Sequence, residues 1–184
     1  DGPVDTFSML PKPLHVEDLV KQQRPVASRT AENLFWMGRY TERTENNVRL
    51  ARTLFTVLGE EDEQASPDVL DTLNGLAVSS GLVPPGVPSL TQSARLFERA
   101  LIEALPKPGA YSVGYNLQAL ARTAGALRDR LSPEHWRLIR DMSEDFSQRM
   151  QAAPELLSEA EAVPALEWLG VQLAAVTGSQ ADRM

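Results

Sequence analysis

Apolar residues recur at spacings of three and four along most of this chain, and no stretch of strand length alternates. That period belongs to helices, so the chain reads as all-α, a helical bundle of about six to seven helices. The longest periodic stretch, Ser28 to Gly59, organises the rest. Ser28 or Thr30 is placed to cap it, Glu32 lies in the first turn where a carboxylate suits the dipole, and Gly59 stands where a C′ residue belongs. At about 100° per residue, Leu34, Met37, Thr44, Val48, Ala51, Phe55 and Leu58 share one arc, with Tyr40 at its edge, and that arc is the expected core face. The opposite stripe holds Glu32, Trp36, Arg39, Arg43, Asn46, Leu50, Leu54 and Val57, with Glu42 beside it. A solvated face rarely carries a tryptophan and three aliphatic residues. Both sides of this helix are therefore expected to be covered, with Arg39, Glu42 and Arg43 partly buried. Buried charges need partners, which predicts Arg39 with Glu42 at i,i+3 and Glu45 with Arg49 at i,i+4.

After the acidic run Glu60 to Glu63, read as a solvated loop, Ser66-Pro67-Asp68 opens a second helix with Val69, Leu70, Leu73, Leu76 and Ala77 on its buried side and a stop by Gly81. Val83 to Pro88 is a stiff loop. Ser89 is expected to cap a third helix with Phe97, Leu101, Ile102 and Leu105 inside, ended by Pro106 and Pro108. A turn at Gly109 to Tyr111 leads into a fourth helix, begun by Tyr111 or Ser112, with Val113, Leu117, Leu120, Ala121, Ala124, Leu127 and Leu131 facing inward. Its small residues Ala121, Ala124, Gly125 and Ala126 are expected to permit close helix approach, and Arg128 to Arg130 to close it. Ser132-Pro133-Glu134 caps a fifth helix carrying Trp136, Ile139, Met142 and Phe146, with His135 read as a surface or capping residue. Pro154 and Pro164 each read as a helix start, dividing the tail into 155–162 and 165–176, with Leu166, Leu169, Val171, Leu173 and Val176 apolar.

Residues 1–27 carry Pro3, Pro11, Pro13 and Pro25 with no helical period beyond a short turn at Val16 to Lys21, and read as an extended linker from an upstream domain. Val4, Phe7, Met9, Leu10 and Leu14 are too many apolar residues for a free tether, so part of this segment is expected to pack on the domain at 28–184. The chain starts at Asp1 and ends at Met184 without a natural domain edge at either end, and is expected to be the first part of a larger helical domain.

Composition narrows the chemistry. A net charge of −7 disfavours nonspecific binding to nucleic acid or an anionic membrane. No apolar run is long enough for a membrane span and no signal peptide is visible, so the expected location is the cytoplasm. Cysteine is absent, and His15 and His135 stand far apart, so neither a thiolate nor a histidine zinc site is available. The Glu-x-x-His spacing of carboxylate-bridged bundles is also missing. What remains is a polar cluster, Glu32, Arg39, Glu42, Arg43, Glu45, Asn46 and Arg49, read as either structural or substrate-binding. Arginine suits a carboxylate because its planar guanidinium binds one bidentately. The alternative is an enzyme that uses Glu32, Glu42 or Glu45 as a general base in amide-bond chemistry. The adjacent arginines oppose the raised pKa that such a base needs.

The residues from Ser28 to Tyr40, followed by Thr41-Glu42-Arg43-Thr44-Glu45, resemble the Alpha-E domain family, an all-helical family named for an E-R motif that falls here on Glu42-Arg43. Tyr111-Ser112-Val113 and the segment Arg128 to Trp136 resemble its mid-domain region, and the resemblance covers nearly all of 28–184. The family's later E-R block lies beyond this chain, with Asp182-Arg183-Met184 as its lead-in, and the neutral Thr123 to Ala126 departs from the family's charged fourth helix. Val4 to Leu10 resembles the connector of proteins in which a circularly permuted ATP-grasp domain precedes an Alpha-E domain. The resemblance thus implies a non-catalytic accessory domain of an ATP-dependent carboxylate–amine ligase system, with transglutaminase-like peptidases as frequent associates. ATP and Mg would belong to the upstream domain and no cofactor to this segment. A fused or interacting ATP-grasp domain and a peptide or amino-acid substrate are the implied partners.

Overall fold

The helical period from Ser28 to Gly59 folds as one helix of 32 residues, α1, with the expected limits. The computed structural model describes residues 28–59, 66–109, 111–151 and 158–181. The expected linker at 1–27 with His15, the acidic run 60–63, Pro154 and Asp182 to Met184 lie outside them. Among the described residues there are six helices and no strand. Besides α1 they are α2 (Pro67–Ser79), α3 (Ala94–Ala104), α4 (Val113–Ala126), α5 (Pro133–Gln151) and α6 (Glu159–Ala181). No helix among them is long and apolar enough to cross a membrane.

Local signals set most of these limits. Ser112 Oγ accepts from the Tyr115 amide at 3.1 Å, and Ser132 Oγ accepts from the His135 amide at 3.1 Å, each satisfying one orphan donor of a first turn. α2 ends in a Schellman motif. Gly81 adopts a φ of 76°, Leu82 N donates to Ala77 O at 2.9 Å, and Gly81 N donates to Val78 O at 3.1 Å. The third helix departs from expectation because Ser89 closes a turn of its own. Its amide donates to Gln92 Oε1 at 3.0 Å and its carbonyl accepts from the Ser93 amide at 2.9 Å. The chain then extends at Ser93, which caps α3 four residues later than Ser89 would have done.

α1, α4, α5 and α6 form a closed ring of neighbours, α1 against α4, α4 against α5, α5 against α6 and α6 against α1. Residue numbers rise on α1 while they fall on α6. Glu45 meets Thr177 at 2.8 Å and Arg52 lies 3.9 Å from Glu167, so the two helices are antiparallel. The same holds for α5 and α6, where His135 meets Ser179 at 2.6 Å. The result is an up-down four-helix bundle in which α2 and α3 form a long crossover against α1. Its core holds Leu54, Phe55, Leu117, Leu120, Ile139, Met142, Phe146, Leu166, Leu169 and Leu173. Full burial of each such side chain contributes about 1.5–3 kcal/mol.

Several expected faces turn out differently. Leu34 is 42% exposed because the first turns of α1 bury only the side that carries Met37 and Tyr40, while Leu54, from the opposite stripe, is fully buried because α1 is flanked by α4 and α6. On α2 only Ala77 is buried, and Val69 and Leu76 stay exposed because this helix touches the bundle through one edge. Of the four small residues expected to permit close approach, Ala124 is buried and Ala121 packs on the core, whereas Gly125 and Ala126 face solvent; a further close approach falls on Gly114, where a Cβ would lie 2.5 Å from the Pro106 carbonyl oxygen. His135 is buried rather than superficial. Glu159–Ala181 form one helix, with Pro164 inside it. Pro164 and Ala160, whose carbonyl loses its amide partner, both lie on the exposed side of that helix. Val171 is 67% exposed despite its apolar neighbours.

Candidate functional site

The outward face of α1 meets the C-terminal end of α2 and the turn into α4 at an open pocket of about 430 Å³, lined by Arg39, Arg43, Asn46, Asn47, Ser79, Ser80, Tyr111 and Asn116. Arg39, Arg43 and Asn46 reach it because i, i+4 and i+7 lie on one helical face. The pocket therefore holds two guanidinium groups and three side-chain amides, and no carboxylate lines it.

Tyr111 shapes the mouth. Its φ of 56° lies in the left-handed region, which costs a bulky residue about 1–3 kcal/mol. Two amides offset that cost by converging on its carbonyl oxygen. Asn47 Nδ2 and Asn116 Nδ2 each donate to Tyr111 O at 2.7 Å, and hydrogen bonds of this kind contribute about 0.5–1.5 kcal/mol apiece. Asn116 Nδ2 also donates to Ser112 O at 3.0 Å, so its amide nitrogen faces the carbonyls and its Oδ1 is left buried with no hydrogen-bond partner. The Ser112 hydroxyl donates in turn to the Lys107 carbonyl. The strained backbone sets the Tyr111 ring under the Arg43 guanidinium, 5.4 Å from the ring centroid, and at 5.8 Å edge-on to Tyr115. A cation over an aromatic face gains about 0.5–2 kcal/mol and keeps its N–H groups available at the ring's edge.

The seven residues of the expected polar cluster divide among three places. Arg39, Arg43 and Asn46 line the pocket. Glu42 pairs with Arg39, Nη1 to Oε2 at 2.7 Å, as the i,i+3 spacing predicts, but both side chains are exposed, at 44% for Arg39 and 58% for Glu42. The partial burial expected for this pair is not found, and of Arg39, Glu42 and Arg43 only Arg43 is half-buried. Glu45 and Arg49 border a separate groove between α1 and α6. There Glu45 accepts from Thr177 Oγ1 at 2.8 Å, and no ion pair joins it to Arg49 among the described residues, since the α6 hydroxyl takes the carboxylate. Glu32 stands exposed near the start of α1, outside the pocket. Sequence reasoning missed Asn47, Ser79, Ser80, Tyr111 and Asn116. An amide at Asn47, within the apolar arc between Thr44 and Val48, was the available signal, because a buried amide needs a fixed partner.

One other pair has the look of chemistry. His135 Nδ1 lies 2.6 Å from Ser179 Oγ, and the same hydroxyl lies 2.9 Å from the Val176 carbonyl oxygen, one turn back on α6. It is a tie between α5 and α6. Among the described residues, no group of three His, Asp or Glu side chains is placed to hold a metal ion.

Residues 26–184 match the Alpha-E family, described as a predicted alpha-helical domain with a conserved ER motif. The dipeptide occurs twice, as Glu42-Arg43 on α1 and Glu98-Arg99 on α3, and only the first borders the pocket. Uncharacterized proteins of Mycobacterium bovis and of two strains of Mycobacterium tuberculosis are 29% identical over 147 residues, a match that takes in 73% of this chain. The chain spans 16% of the length of these relatives. No solved structure matches. The six-helix fold and the family match over nearly the whole described chain agree, and the chain belongs to the Alpha-E family.

Proposed function

We propose that this domain is a non-catalytic accessory module of an ATP-grasp-type carboxylate–amine ligase system, and that it holds the free carboxylate of a peptide or amino acid in the Arg39–Arg43 pocket. The observation that carries the reading is Arg43, a half-buried guanidinium with an aromatic partner and no carboxylate partner among the described residues. Such a group is available for bidentate recognition of a carboxylate. Asn46 beside it adds an amide donor. The ligase link is supported by the resemblance of Val4 to Leu10 to an ATP-grasp connector, and by relatives several times longer than this chain, which leave room for further domains. ATP and Mg would act in that neighbouring domain. The alternative reading, a Glu base acting on amides, is less well supported because no carboxylate lines the pocket.

Titration calorimetry with a short peptide, as free acid and as C-terminal amide, tests the pocket. The acid is expected to bind and the amide to bind at least tenfold more weakly, with Arg43→Ala abolishing the difference and Arg43→Lys restoring little of it. Equal binding of acid and amide excludes carboxylate recognition. In the intact parent protein, Arg43→Ala is expected to lower ATP-dependent amide formation while the fold survives. Unchanged ligation separates the pocket from the ligase.

A further inference from the structure

The first three turns of α1 carry an aromatic patch that nothing covers among the described residues. Phe35 is 65% exposed, Trp36 36% and Leu34 42%. Phe35 and Trp36 meet edge to face at 5.5 Å, and Trp36 stacks on Tyr40 at 5.6 Å, so the rings form one continuous apolar surface. Aromatic residues clustered in the open mark an interaction surface.

The charges around the patch identify its occupant. Glu32 lies three residues before Phe35, and Arg39 lies three residues after Trp36. The two are seven residues apart, so they sit within about 20° of each other on the helix and about 10 Å apart along its axis. Phe35 and Trp36 flank that line by about 50° on either side. A two-fold axis midway between Phe35 and Trp36, relating two antiparallel copies of this helix, therefore places Phe35 on Phe35 and Trp36 on Trp36. The same operation sets Glu32 of each copy opposite Arg39 of the other. Opposite charges at equal distances on either side of an aromatic centre are what an isologous contact requires. Glu42 holds Arg39 through Nη1, which leaves the remaining guanidinium N–H groups for a second carboxylate.

We propose that the exposed face of the first turns of α1 is a self-association surface, and that two copies of this chain pair antiparallel through Phe35 and Trp36, with reciprocal Glu32–Arg39 ion pairs. Sedimentation of the 184-residue chain from low to high micromolar concentration is expected to show a monomer–dimer equilibrium. Glu32→Arg and Arg39→Glu alone each set like charges against one another at both contacts and are expected to weaken the dimer at least tenfold. An equimolar mixture of these two variants restores opposite charges at both contacts, and is expected to recover the dimer as a heterodimer. Trp36→Ser is expected to give monomer with unchanged helicity by circular dichroism. A chain that stays monomeric at all concentrations overturns the proposal. So does a dimer indifferent to the charge variants, or a mixture that fails to recover.

Discussion

Gly114 shows how one residue decides an approach between elements. It lies in the first turn of α4, where its amide donates to Leu105 O at 2.8 Å. A Cβ there would stand 2.5 Å from Pro106 O and 2.8 Å from Pro106 C, both backbone atoms held by the preceding turn. Gly114→Ala is therefore expected to destabilise the fold by about 1–3 kcal/mol, read as a lower urea midpoint at unchanged slope. A Cβ at Gly125 would meet nothing within 4 Å, and Gly125→Ala is expected to be neutral or to stabilise by up to about 1 kcal/mol. At the same scale the pocket rests on Tyr111, whose left-handed backbone persists because Asn47 and Asn116 both donate to its carbonyl.

Among the elements, α6 carries the clearest unused stability. Its interior Pro164 removes one amide donor from the helix ladder. Proline in a helix interior is about 3 kcal/mol less favourable than alanine. Two features reduce that figure here. The site is near the start of the helix, and Ala160, whose carbonyl is left over, is an exposed residue. Pro164→Ala is accordingly expected to raise the melting temperature by a few degrees, as calorimetry on the full chain would show. The Ser158 amide donates to Glu161 Oε2 at 3.1 Å, which keeps the first turn of the helix in place without the proline.

In the molecule as a whole, α1 is the shared wall between α4 and α6, and its middle turns are enclosed while its first turns are not. Leu54 is fully buried although the angular pattern put it with the charged stripe, so Leu54→Ala is expected to cost about 2–5 kcal/mol in chemical denaturation, as for a central core position. Phe35 and Trp36, exposed on the first turns, belong to the opposite class, and changing them is expected to alter association and leave stability nearly intact.

Most helix limits were legible because their causes are local, the start of α3 and the expected break at Pro164 being the exceptions. Serine caps, Pro67 at N1, the stop at Gly81 and the three-and-four spacing of α1 all act within a few residues. The Arg39–Glu42 pair was legible for the same reason, since both ends lie on one turn. The pocket was not. Asn47 and Tyr111 are 64 positions apart, and Glu45 and Thr177 are 132 apart, so which polar group meets which depends on how the helices pack. A helical period states that a face is apolar, but burial depends on whether a neighbour reaches it. Local chain chemistry thus made the helices and named Arg39 and Arg43, while packing chose the covered faces, moved Glu45 to α6 and set Tyr111 against Arg43, because each of those outcomes requires surfaces far apart in sequence to meet.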